Sequence, residues 1–69
     1  MRDATNLLAK TVDYNGRVME IIGFYMVIDN FNPNVYIKLM EMKTGLTINM
    51  LVTSFQNHIQ EKQIKFISP

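Results

Sequence analysis

The stretch Arg17-Val18-Met19-Glu20-Ile21-Ile22-Gly23-Phe24-Tyr25-Met26-Val27-Ile28 is apolar at nearly every position, so periodicity alone fits both a buried strand and a buried helix. Its β-branched and aromatic content favours a strand, as do the turn residues on either side, Asn15-Gly16 and Asp29-Asn30. Fully extended, twelve residues span about 40 Å at ~3.3 Å each, whereas a compact domain of this chain length is roughly 28 Å across. Such a strand has to bend. Gly23 is the residue of the run at which a bulge costs least, and a bulge there exchanges the parity that faces inward. That exchange accounts for the blurred alternation, and it leaves the face occupied by Tyr25 open.

Outward from this strand, the breaks at Asn15-Gly16, at Asp29-Asn30-Phe31-Asn32-Pro33-Asn34 and at Lys43-Thr44-Gly45 are spaced as hairpin turns. Val35, Ile37 and Leu39 alternate with Tyr36, Lys38 and Met40, and Leu46, Ile48, Met50 and Val52 with Thr47, Asn49, Leu51 and Thr53; the first set of each pair is expected in the core. Residues 53 to 59 lose the alternation and offer hydroxyls as caps, which predicts a single helical or 3₁₀ turn. A last strand over Gln63 to Ile67 follows, with Ile64 and Phe66 on one face. At the other end, residues 3 to 10 read as a two-turn helix capped by Asp3 or Thr5 with Leu7 and Leu8 facing inward, or as an extended tail. The expected class is mainly β: a small five-stranded SH3-like barrel over residues 11 to 69, preceded by the helix or tail of residues 1 to 10. Closure into a barrel removes most exposed sheet edges. The rival is a small α+β sheet whose only helix is residues 3 to 10.

Composition narrows the function classes. A chain of 69 residues is one domain, and at this size it buries only about 60% of the surface its unfolded form exposes, so it is expected to lean on a partner. With Cys 0 and His 1 there is no disulfide, no thiolate zinc site and no cysteine nucleophile. Asp13, Glu20, Asp29 and Glu41 are too scattered along the chain for a Mg²⁺ site or a paired acid and base, Ser54 has no visible base, and the glycines are single. His58, beside Asn57, reads as a loop residue. No catalytic residue, metal or cofactor is therefore expected. A net charge of +1 lacks the footprint of a histone-type binder. No run reaches the ~18 to 20 apolar residues of a membrane span, and signal-peptide features are missing, so the chain reads as soluble and cytoplasmic.

Asn15-Gly16-Arg17, Ile21-Ile22-Gly23-Phe24, Asn34-Val35-Tyr36-Ile37-Lys38, Thr44-Gly45 and Phe55 together resemble a small SH3-like barrel recurrent in bacteriophage proteins. That family often occurs beside HNH endonuclease modules and is thought to contact DNA, and the likeness covers about residues 14 to 69. The chain departs from it after Phe55, where Asn57-His58 stand in place of a glycine. The closing run Ile59 to Pro69 is similar to the second motif of Sm-like RNA-binding barrels, with Gln60-Glu61 where that family has Arg-Gly in its uridine pocket. Together the two likenesses imply a nucleic-acid-associated five-stranded barrel, with DNA favoured over RNA.

Two surfaces compete as the working face. Arg17, Lys38, Lys43, Lys62 and Lys65 form a candidate basic set, and Tyr36 shares the outward parity of Lys38, so stacking and phosphate contact would come together there. The plainer reading is a solvated face, diluted by Glu20, Glu41 and Glu61. The second surface is an apolar strip of Tyr36, Met40, Met42 and Leu51, suited to a homo-oligomer or to docking on a larger protein; its plainer reading is core filling by methionine. Neither surface implies a small-molecule substrate or a membrane.

Overall fold

The computed structural model describes residues 8–67. Among the described residues five strands, β1 (Thr11–Tyr14), β2 (Arg17–Asp29), β3 (Asn32–Glu41), β4 (Thr47–Leu51) and β5 (Ile64–Phe66), form one sheet, and a single helix, α1 (Val52–Gln60), joins β4 to β5. The spatial order is β4-β3-β2-β1-β5, and every neighbouring pair is antiparallel. The molecule is thus mainly β, with two layers: an open sheet and one helix lying across one face.

The hairpins follow local chemistry. Asn15 and Gly16 both take positive φ, 51° and 91°, as the first turn requires, and the Asp13 Oδ1 accepts from the Gly16 N–H at 2.7 Å. The second turn is tighter than the six-residue break expected: β2 runs to Asp29 and β3 starts at Asn32, so Asn30 (φ 50°) and Phe31 (φ 66°) alone make the bend. Pro33 lies inside β3, where no strand pairs on the β4 side, so its missing N–H costs no ladder bond.

The bend in β2 lies where its length requires it. The molecule is only 36 Å in its longest extent, and thirteen residues would be about 40 Å long if straight. Register slips between Ile21, opposite Leu39, and Gly23, opposite Lys38, so Ile22 is the extra residue of a bulge. Before the bulge Met19 and Ile21 face the core; after it Phe24 does, and Tyr25 is turned to the opposite face. Gly23 itself keeps a negative φ, and a Cβ there would meet nothing within 4 Å. The glycine is therefore not a steric requirement of the bulge.

The core is Val12, Met19, Ile21, Ile37, Leu39, Phe55 and Ile64, all at most 2% exposed, with Tyr14, Phe24, Ile48, Met50, Val52 and Ile59 packed around it. Phe55 is the buried anchor of α1 and meets the Phe66 ring edge-on, with centroids 6.4 Å apart.

Four expectations are corrected. The sheet does not close: β4 and β5 are its edges, because α1 packs against β3, β4 and β5 and fills the side on which barrel strands would meet. Residues 52 to 60 form a full nine-residue α-helix rather than one turn, and its N-cap is Leu51, without a side-chain cap bond, rather than a hydroxyl. Leu46 and Val35, expected inside, are exposed, since the first precedes β4 in a turn and the second lies beyond the helix. Of the two alternatives for residues 3 to 10, a helix with Leu8 inward does not hold at the segment's end: Ala9 has φ 65°, Leu8 is exposed, and the Ala9 N–H and Lys10 C=O bond to Ile21. The remainder of that segment lies outside the described residues.

Candidate functional site

The face of the sheet opposite α1 carries no other layer among the described residues. Its composition follows from register: Leu51, Tyr36 and Tyr25 stand in one row across β4, β3 and β2; Asn49, Lys38 and Gly23 in the next; Thr47, Met40, Glu20 and Thr11 in the third. Directly opposed residues have Cβ atoms about 4.5–5.5 Å apart, so side chains of one row are neighbours across the strands. The Tyr25 and Tyr36 rings stack with centroids 5.2 Å apart and planes 8° from parallel. Beside them Gly23 contributes no side chain between Lys38 and the free edge of β2. An open cleft results, lined by Ile22, Gly23, Phe24, Tyr25 and Lys38.

Only part of the basic set is brought together. Tyr36 and Lys38 share the open face, as expected, and the bulge adds Tyr25 to them. Lys65 lies on the same face but beside Asp13 on the far edge, on the order of 20 Å from Lys38 by strand spacing and rise. Lys62 and Lys65 line a separate small cleft with Asp13, Asn15, Gly16 and Gln63. Arg17 is opposite Tyr14, whose ring packs on the core, so Arg17 takes the helix side of the sheet. Lys43 lies in the turn between β3 and β4, at the end remote from the tyrosines. Of the apolar strip, Tyr36, Met40 and Leu51 share the open face and are half-buried, while Met42 is exposed at the strand end.

His58 is on the last turn of α1, against Tyr14 (centroids 5.3 Å) and hydrogen-bonded through Nδ1 to the Gln63 side chain. It fastens the helix to the start of β5. Among the described residues no group of three His, Cys, Asp or Glu side chains is placed to hold a metal ion, and no helix is long and apolar enough to cross a membrane.

Alternation carries no signal for the most exposed part of the sheet. Beyond the end of β1 and the end of β4, β2 and β3 continue as a two-stranded arm, residues 24 to 35, which among the described residues pair only with each other. Tyr25, Met26, Val27, Ile28, Phe31 and Val35 are all exposed on it, Phe31 at 98%. The sequence shows an apolar run there, but the absence of a covering layer depends on where β1, β4 and α1 stop. No family model, no curated protein and no solved structure matches this chain.

Proposed function

We propose that the protein is a non-enzymatic nucleic-acid-binding module of the phage or mobile-element accessory type, acting in the cytoplasm, and that its open sheet face is the binding surface. The observation that carries this is the stacked Tyr25–Tyr36 pair beside Lys38 and the Gly23 cleft. A base stacked against the exposed tyrosine would leave its phosphate within reach of the lysine, a mode that is tolerant of sequence and suited to single strands. Arg17, Lys43, Lys62 and Lys65 supply charge around the rim. The strand order β5-β1-β2-β3-β4, with its helical connection before the last strand, is compatible with the resemblance to SH3-like barrels.

The test is fluorescence anisotropy of a labelled oligothymidylate at low salt, against the double variants Tyr25→Ala with Tyr36→Ala and Lys38→Glu with Lys43→Glu. Base–aromatic stacking is worth ~1–3 kcal/mol per base, so removing the pair weakens binding about five-fold or more. Charge reversal lowers the salt slope by about 0.7 for each phosphate that is no longer neutralised. Absence of binding by the wild type at low salt, or binding by both variants equal to that of the wild type, overturns the reading.

A second reading is a protein-interaction module, favoured by Leu51, Tyr36 and Met40 lying on one uncovered face with Met42 exposed at its margin. Tyr36→Ala with Met40→Asp would then dissolve a complex that charge reversal leaves intact.

A further inference from the structure

We propose that the free edge of β2 is a self-association site, at which a second copy of this chain adds its own β2 antiparallel about a two-fold axis through Met26. Among the described residues the edge is open along a defined length. At one end the Ile21 N–H and C=O are already bonded to Lys10 and Ala9, and at the other the turn begins at Asn30. Because Ile21 points its backbone toward β1 and the bulge inserts Ile22, alternation directs the backbone N–H and C=O of Phe24, Met26 and Ile28 to the open edge. An unpaired row of this kind in an uncharged, β-prone segment is a template for another strand.

Geometry selects the register. Matching faces across a two-fold requires equal parity, so the axis falls on a single residue. An axis on Tyr25 would set the partner's Asp29 against Ile21, whose backbone groups Lys10 and Ala9 already occupy; an axis on Val27 shortens the overlap. On Met26, Phe24 faces the partner's Ile28, Tyr25 faces the partner's Val27, and about six inter-strand hydrogen bonds form. The register also settles the one charge of the arm. Asp29 is the only residue of Asp, Glu, Lys, Arg or His type between positions 24 and 35, and here it opposes the partner's Gly23, which has no side chain and neighbours Lys38. A carboxylate and an ammonium from strands two apart, Cα atoms about 10 Å from one another, meet across the glycine, twice in a symmetric dimer.

The pairing runs along the edge of β2, so Val35 on β3 and Phe31 in the turn stay outside it. The partner's Asp29 enters the cleft proposed for a nucleotide, so dimer and nucleic acid exclude one another there. The dimer itself does not depend on that reading and is tested without nucleic acid.

Sedimentation velocity of the full chain from micromolar to millimolar concentration is the experiment, alongside Met26→Pro and Met26→Lys. Proline deletes an N–H that points to the open edge, and lysine opposes two like charges on the axis. The expected result is a monomer–dimer equilibrium in the wild type, with both variants monomeric and retaining the wild-type far-ultraviolet circular dichroism. Amide hydrogen exchange at Phe24, Met26 and Ile28 should slow as concentration rises. A wild type that stays monomeric at millimolar concentration overturns the proposal, as does a dimer that survives in both variants. Slow exchange independent of concentration overturns it too, since the edge is then covered from within the chain.

Discussion

Phe31→Gly should stabilise this protein, although it deletes one of its few aromatic rings. Phe31 is the second residue of a two-residue turn in which both residues have positive φ, and its own φ is 66°. For an L-residue that conformation costs roughly 1–2 kcal/mol, and glycine escapes it. Glycine also raises the entropy of the unfolded chain, which takes back about 0.4–1 kcal/mol. No burial is lost, because the side chain is 98% exposed. The net gain is about 0.5–1 kcal/mol, and the turn then consists of Asn30 followed by glycine, the pair most favoured in this geometry. With a urea m-value of ~1 kcal/mol/M for a chain this small, the unfolding midpoint rises by about 0.5–1 M. The assay is urea unfolding followed by far-ultraviolet circular dichroism at low micromolar concentration, where self-association is absent. Phe31→Ala is the control: it removes the ring but keeps the strained backbone, so it should lie within about 0.5 kcal/mol of the wild type. A Phe31→Gly protein less stable than the wild type, with Phe31→Ala equally weakened, would show that the ring packs on something and refute backbone strain as the governing effect.

Lys62→Gly should also stabilise. Lys62 has φ 65° just past the C-cap of α1, where its N–H donates to the Ile59 carbonyl and that of Gln63 to the His58 carbonyl, a helix end that favours glycine; thermal unfolding should shift up by a few degrees. Phe55→Ala should cost ~3–5 kcal/mol, since Phe55 is the fully buried anchor of the helix. That is most of the stability of a domain this size, so the variant should be largely unfolded by circular dichroism at 37 °C. A Cβ at Gly23 would meet no atom within 4 Å, so Gly23→Val should fold as the wild type does, with its methyl groups filling the cleft beside Lys38. Oligonucleotide binding, read by anisotropy, should fall at least several-fold while the salt slope stays as in the wild type.

The sheet face proposed to bind nucleic acid was partly legible in advance. Tyr36 and Lys38 share a parity that alternation alone reveals, and Met40 and Leu51 join them for the same reason. Tyr25 was not legible, because one extra residue at Ile22 decides which side it takes. The basic set read from the chain splits for a related reason. Arg17 and Lys38, alike in charge, are carried to opposite faces by strands whose parity is set at different turns.

The chain's own order of residues determined what is local: five strands, a first turn built on Asn15 and Gly16 with positive φ, a long strand that has to bend near Gly23, and the inward parity of β3 and β5. Each rests on backbone preference and alternation within a few residues. Tertiary structure decided the length of α1, the open sheet, the stacking of Tyr25 on Tyr36 and the exposure of the arm. These depend on where segments far apart in the chain stop covering one another. Phe55 and Ile59 become a helix face because Ile37, Leu39 and Ile64 offer a surface to bury them, and residues 25 to 33 stay exposed because neither β1, β4 nor α1 reaches that far. Burial is a property of the assembled layers, and no window of sequence contains it.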